Sequence, residues 1–261
     1  METESFIIEL FCRVDDQIGA EEREPLAKLC PSEIVTLGML FALKSQGNRQ
    51  FYRWCSREWR HLFPRLPERT RLFRLFAKYR QLTDEFFATL GLFGVADTIG
   101  LELLHPYREG RSATQIGRKG LSNHRWFVGV KLCILVNHLG LPVAWECREG
   151  NVADKDFQQY VADFAGESIV FVDSGFHAAA GDRPNIVICK KGERNQRMVV
   201  ETLNSILTGG VILKRLYHRT WEALSAHIGY ALALVCLLAQ WHWERHPDDN
   251  FRALSVAQFR L

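Results

Sequence analysis

The stretch from Ile169 to Leu207 places the tightest constraint on how this chain can fold. Ser168-Ile-Val-Phe-Val-Asp173-Ser-Gly-Phe176 is a short apolar run rich in β-branched residues that ends on a carboxylate and a Ser-Gly turn. Asp173 is therefore expected as the last residue of a buried strand. Asn185-Ile-Val-Ile-Cys189 repeats the pattern, and after Lys190-Lys191-Gly192 the spacing turns helical, with Met198, Thr202, Leu203, Ile206 and Leu207 on one face. Glu201 lies on that helix, one turn after Arg197, so a helix packed beside the strand lets Glu201 meet Asp173. Upstream, Gly94-Val-Ala-Asp97-Thr-Ile-Gly100 offers a third carboxylate in a similar short apolar run. Three carboxylates gathered on a sheet and an adjoining helix suit a hard divalent cation such as Mg²⁺, which takes oxygen ligands from one or two carboxylates plus substrate phosphates.

Composition narrows the classes. A chain of 261 residues that is 47% hydrophobic has material for a well-buried core. The net charge is only +3, but its distribution is uneven. Up to Glu33 the chain is acidic, whereas Lys44 to Arg80 carries Arg49, Arg53, Arg57, Arg60, Arg65, Arg69, Arg71, Arg74 and Lys78 against only Glu58 and Glu68. Interleaved with Phe51, Tyr52, Trp54 and Trp59, that block has the makings of a polyanion-binding surface; a solvated helical surface is the alternative. The seven cysteines show no metal-ligand spacing, and several lie in apolar runs, which favours a reducing compartment. The acidic N-terminus has no secretion-signal pattern, and the apolar run Ile228 to Ala239 is short for a bilayer. A cytoplasmic, nucleoid-associated protein with no membrane partner is expected.

Taken in order, helices are expected over Ser5 to Val14, from Pro31-Ser32-Glu33 (Ser32 capping) to Gly47-Asn48, over Gln50 to Arg60, and from Pro67-Glu68 onward with Leu72, Phe73, Phe76 and Ala77 inward. Arg69, Arg71 and Arg74 fall on the outer side of the last, which resembles the recognition element of a helix-turn-helix unit. Leu82 to Leu92 reads as a connecting helix. Strands follow at Val95–Leu104, Trp126–Val136 and Leu141–Cys147, the last two joined by a turn at His138-Leu-Gly140, with a polar basic loop from Tyr107 to Arg125 between the first and second. A helix from Gly150 to Phe164, capped by Asn151 or Asp154, precedes the strand of Asp173. Trp221 to Trp243 reads as a buried helix, and the polar tail from Glu244 as peripheral. This element order is that of an α/β, ribonuclease-H-like mixed sheet flanked by helices. An all-α region (1–92), expected to bind DNA, would precede this α/β domain (93–243), the expected catalytic one, with a tail (244–261) after it.

Several short blocks carry a family resemblance. Asp97-Thr98, Gly129-Val-Lys131-Leu-Cys133, Gly150-Asn-Val-Ala-Asp154, Asp173-Ser-Gly-Phe176 and Arg194-Asn-Gln-Arg197-Met-Val-Val-Glu201-Thr-Leu, in this order and spacing, resemble the DDE transposases of bacterial insertion sequences. The likeness spans roughly Gly94 to Gln240. It implies a catalytic, metal-holding triad of Asp97, Asp173 and Glu201 with Mg²⁺, for which Mn²⁺ can substitute. It also implies cleavage and joining of double-stranded DNA at inverted-repeat ends and a target, by in-line displacement at phosphorus with two metal ions. A homodimer on DNA is the expected assembly, since two ends must be brought together. Arg197 and Lys131 are candidates to contact phosphates or tune the carboxylates, with a structural ion pair as the alternative for each; Arg194 completes the basic set near the triad. The chain departs from the family pattern at Arg194 (often Tyr), Thr208 (often Lys) and Cys133 (often His).

Three other readings compete: a same-fold nuclease that does not integrate, a DNA-binding derivative whose triad no longer works, and a Cys or His enzyme built on His105, His124, His138 or His177. The last lacks any spaced partner for these histidines.

Overall fold

The computed structural model describes residues 2–19, 27–122, 125–189, 198–209, 213 and 216–259. The chain begins with helices α1 (Thr3–Ile18), α2 (Pro31–Lys44), α3 (Asn48–Glu58) and α4 (Arg69–Lys78). At the start of α2, Pro31 has no N–H to leave unpaired, and the Glu33 carboxylate accepts from the Cys30 backbone N–H at 2.7 Å. Cys30, held extended before the proline, is thus the cap position. Ser32, the expected cap, is buried and donates instead to Asp15 of α1 at 2.5 Å, tying the two helices together. Ser45, at φ 50°, ends α2 in the left-handed region, and Gly47 opens α3 rather than closing α2.

The expected helix from Leu82 to Leu92 is a 3₁₀ segment, Arg80–Phe86, followed by extended chain. Two hydrogen bonds explain the difference. The Thr83 hydroxyl donates to the Arg80 carbonyl at 2.7 Å, and the Ala88 N–H donates to the Pro142 carbonyl at 2.9 Å, drawing the backbone along the sheet.

The sheet comprises β1 (Phe93–Leu104), β2 (Arg118–Ser122), β3 (Arg125–Asn137), β4 (Pro142–Glu149), β5 (Ile169–Val172) and β6 (Ile186–Ile188), with α5 (Gln158–Ala162) between β4 and β5. Its order is β2-β3-β1-β5-β6, with β4 also paired to β3. β3 runs antiparallel to β1, while β5 and β6 run parallel to it. β2 pairs with the first part of β3 (Arg118↔Gly129) and β4 with the rest (Val130↔Glu149), so two short strands lie end to end along one long one. The mixed sheet is tightly curled there. A Cβ at Gly129 would lie 1.9 Å from the Leu101 carbonyl oxygen, and one at Gly120 1.8 Å from that of Gly150. β2 falls inside the expected loop. Arg-Lys-Gly-Leu-Ser carries no apolar alternation, and pairing with β3 is what makes it a strand. The β3–β4 turn forms as expected: Asn137 Oδ1 accepts from the Leu139 and Leu141 N–H groups, and Gly140 takes φ +90°.

Alternation sorts the sheet's two faces. Val95, Leu101, Val130, Leu132, Ile134 and Val136 join the core shared with the helices, while Ala96, Cys133, Leu135, Val170 and Val172 pack against Phe157, Val161 and Phe176. The core of the first layer is α7 (Trp221–Arg245). By length and composition α7 could cross a membrane, yet 83% of its most apolar window is buried inside this fold. Tyr230 lies flat on α2 where a Cβ on Gly38 would stand 2.7 Å from its ring, and its hydroxyl donates to the Phe76 carbonyl at 3.1 Å. Trp241 stacks on Phe6 of α1 with ring centroids 5.4 Å apart. The tail is not peripheral. Phe251, Leu254, Val256 and Phe259 are buried, and Phe259 touches both Phe6 and Trp241, because these apolar residues outweigh the polar ones between them. Residues of 1–92, the tail and one face of the sheet therefore share a single hydrophobic cluster.

Candidate active-site cleft

Asp97 lies in β1, and the pairing of β1 with parallel β5 reaches Val95↔Phe171. Extended by two residues, that register sets Asp97 abreast of Asp173, which directly follows β5. Asp173 opens a single 3₁₀ turn, Ser174–Phe176, and its Oδ1 accepts from the Gly175 N–H at 2.9 Å. The Ser-Gly sequence thus fixes this carboxylate at a strand end, one residue beyond the strand itself.

The third carboxylate arrives on α6 (Met198–Gly209). This helix buries Val200, Leu203, Ile206 and Leu207 and turns Glu201, Asn204, Ser205 and Thr208 to the opposite side. That spacing of three, four and seven residues is one helix face. Val200 holds the inward position expected of Thr202, which is only half-buried. Asp97, Asp173 and Glu201 line one open cleft of about 830 Å³, along with Asn204, Asp154 and Lys131. Asn204 Nδ2 donates to Asp97 Oδ2 at 3.1 Å, so α6 is joined directly to β1.

On the other face of β1 a polar knot closes the cleft. The Thr98 hydroxyl and the Lys131 ammonium both donate to Asp154 Oδ1, each at 2.8 Å. Lys131 is only 7% exposed, so the ammonium is held in an ion pair. A Cβ on Gly175 would lie 3.0 Å from both Asp154 Oδ2 and Asp173 Oδ1, so both carboxylates stand against that glycine. Asp154 is therefore a cleft residue and not the expected helix cap. The cap is supplied by Asp156, whose Oδ2 accepts from the Ala153 N–H at 3.2 Å.

The cleft is strongly acidic. Asp97, Glu102, Asp154, Asp173 and Glu201 line it, against Arg125 and Lys131. Arg125 sits 3.7 Å from Glu102 and is largely solvated. Among the described residues, no three His, Cys, Asp or Glu side chains stand close enough together to hold an ion as they are placed. Neither His nor Cys is among the described residues lining the cleft. Cys133 is fully buried beneath it, and burial, then the Asp97 charge, push its thiol well above the usual range. Of the histidines considered, His105 stacks on Tyr107, His177 pairs with Asp182 at 2.9 Å, and His124 lies outside the described residues.

The basic residues divide. Arg194 and Arg197 lie outside the described residues. Arg69, Arg71 and Arg74 are exposed on α4, and the last two border a separate groove of about 540 Å³ with Lys28 and Lys78. The aromatics interleaved with them are packed inward. Phe51 is buried against Phe41 and Phe73, and Trp54 and Trp59 contact each other beside the core.

Asn204, Asp154 and Glu102 are among the cleft residues that sequence reading missed. Asn204 carried a usable signal, since it lies three residues after Glu201 on the polar side of an amphipathic helix. Comparison of the chain with protein-family models, curated proteins and solved structures finds no match.

Proposed function

We propose that this chain is a metal-dependent DNA strand-transfer enzyme, a transposase of the DDE type with a ribonuclease-H-like catalytic fold. One observation carries the reading: Asp97 in β1, Asp173 directly after β5 and Glu201 on α6, together spanning more than a hundred positions of sequence, line the same cleft. The strand order supports it, with a central strand flanked by antiparallel partners on one side and parallel ones on the other.

The cleft's charge supports it further. Five carboxylates against two cations repel a phosphodiester unless divalent cations neutralise them. The donors facing the cleft are oxygens, with no thiol or imidazole among the described lining residues, which is the donor set of Mg²⁺ or Mn²⁺. Asp97, Asp173 and Glu201 are the residues that would hold such ions. When bound, the metal activates the attacking oxygen and stabilises the leaving oxygen of an in-line displacement at phosphorus. The chain's own contribution is placement. Asn204 orients Asp97, Gly175 orients Asp173, and Thr98 with Lys131 fixes Asp154 at the cleft edge.

The exposed arginines Arg69, Arg71 and Arg74 supply a basic surface for duplex DNA, with the protein acting as a homodimer that holds two ends. Light scattering of the complex with end DNA tests that assembly, and a monomer with bound end DNA counts against it. Thr208, which stands in the cleft where the family often carries lysine, favours as a second reading a derivative that binds ends without cutting them.

The deciding experiment is cleavage of labelled DNA bearing the flanking inverted repeats, with Mg²⁺, Mn²⁺ or EDTA, by wild type and Asp173→Asn. Metal-dependent nicking lost in the variant, with DNA binding intact, is the expected result. Retained cleavage in Asp173→Asn sinks the triad, and binding without cleavage under every metal leaves the second reading.

A further inference from the structure

A basic segment runs from the end of β1 through β2 to the start of β3, apart from the arginines of α4. From His105 to Trp126 the sequence carries Arg108, Arg111, Arg118, Lys119 and Arg125, with Glu109 as the one carboxylate. All five cations are exposed. Glu109 is turned back on its own segment, where it accepts from the Lys119 backbone N–H at 3.1 Å.

The same segment displays an aromatic ring. Six of the chain's seven tryptophans are buried or half-buried, whereas Trp126 is 61% exposed. It stands directly opposite Leu121, itself 45% exposed, in the pairing of β2 with β3. The Lys119 ammonium lies 5.0 Å from the centre of the indole. A single exposed apolar residue is ordinary, but here two adjacent ones form a cross-strand pair beside a cation.

The strand register sets this pair beside the carboxylates. Alternation along β3 puts Trp126 on the face of Val130, Leu132 and Ile134, and Asp97 is paired with Ile134 on that face. Phe127 and Ser122 belong to the other face, where both would meet a Cβ on Gly100. Leu121 and Arg125 line the carboxylate cleft. The indole therefore stands at the cleft's rim, next to two wall residues and on the side of α6.

Indole rings and nucleobases stack face to face. Within a duplex each base has its faces covered by its neighbours and offers only its edges in the grooves, so an open indole suits an unpaired base. The basic block from Lys44 to Arg80 differs at this point: Phe51, Trp54 and Trp59 pack inward there, so what it offers DNA is charge.

We propose that Trp126 and Leu121 form a stacking platform for an unpaired base of a DNA strand that runs on into the carboxylate cleft, with Lys119 and Arg125 meeting the phosphates beside it. The course of the strand rests on reading the cleft as a DNA site. Stacking itself needs neither metal nor cleavage.

The test uses the full chain in EDTA, so that no strand is cut, and reads the anisotropy of a labelled short oligo(dT) and of a blunt duplex of the same length. Trp126→Leu keeps an apolar side chain at an exposed position and should leave the circular dichroism spectrum unchanged. It should weaken oligo(dT) about tenfold and the duplex less than about twofold, and Trp126→Phe should restore most of the loss. Lys119→Gln should reduce the slope of log affinity against log salt by about 0.7, the share of one phosphate on a single strand.

Equal affinity for oligo(dT) in wild type and Trp126→Leu overturns the proposal, as does an equal loss for the two DNAs, or no saturation of wild type by about 100 μM oligo(dT). A further measurement needs no variant. A single strand carrying 5-bromodeoxyuridine, irradiated in complex with the wild-type protein, should become attached to the peptide that contains Trp126; attachment only elsewhere overturns the platform. Loss of the platform leaves metal-dependent cleavage by the triad standing, and an inactive triad leaves the oligo(dT) result standing, so the two readings fail separately.

Discussion

The Lys131–Asp154 pair gives a stability prediction whose size follows from its surroundings. The ammonium's side chain is 9% exposed and the carboxylate's 27%, with 2.8 Å between the charged atoms. Removing one partner of a fully buried pair costs about 3–5 kcal/mol, because the other is left desolvated and alone. Water reaches Asp154, so the cost is discounted. Asp154→Ala, which strands the more buried charge, should lose about 2–4 kcal/mol, and Lys131→Met, which leaves Asp154 with the Thr98 hydroxyl and solvent, about 1–2. The double variant should fall well short of the sum, with a coupling of about 2 kcal/mol. Urea denaturation of all four proteins measures this. A parallel thermal melt should show Asp154→Ala unfolding roughly 5–12 °C below wild type. Strictly additive losses would refute the reasoning, since they would mean that the two charges do not depend on each other.

Other consequences are equally specific. At Gly129 a Cβ would meet the Leu101 carbonyl 1.9 Å away, backbone against backbone, so Gly129→Ala should cost more than about 3 kcal/mol or prevent folding, as soluble yield and circular dichroism will show. Burial lowers His218 to about 4 and His227 to about 3. Both folded values lie below the unfolded value of 6.5, so their contribution is complete above pH 6.5 and is lost as pH falls toward 4 and then 3. The loss reaches about 1.4 kcal/mol per pH unit per histidine, and His227→Leu should flatten the profile measured by urea melts. Cys55, Cys147 and Cys236 are pushed up to about 12 by burial, whereas Cys12 is exposed, so a thiol reagent at mildly alkaline pH should label Cys12 quickly and those three only after denaturation.

The parts of the fold that could be read from sequence were those where one local signal dominates. Apolar β-branched runs ending at Asp173 and Cys189 became β5 and β6, and the spacing after Met198 became α6 with Glu201 on its open side. Where a tertiary partner decides, no local pattern signals the outcome. β2 exists because β3 pairs with it, and the segment Leu82–Leu92 is extended where Pro142 accepts its N–H. Ser32 and Asp154 illustrate a third case. Both are residues that cap helices well, and both are diverted by a stronger partner elsewhere, Asp15 for the first and Lys131 with Thr98 for the second. That Asp97, Asp173 and Glu201 would face one cleft was inferable from the order of elements. The hydrogen bond from Asn204 to Asp97 was not, because it depends on how α6 is set against β1.

The most direct test of the cleft as a cation site is iron-mediated cleavage of the polypeptide. Fe²⁺ replaces Mg²⁺ at oxygen sites and, with ascorbate and peroxide, cuts the backbone near its ligands. Fragments ending close to Asp97, Asp173 and Glu201 together, suppressed by excess Mg²⁺ and lost in Asp173→Asn, are the expected result. Cuts elsewhere, or cuts at one of the three positions without the other two, would contradict a shared metal site.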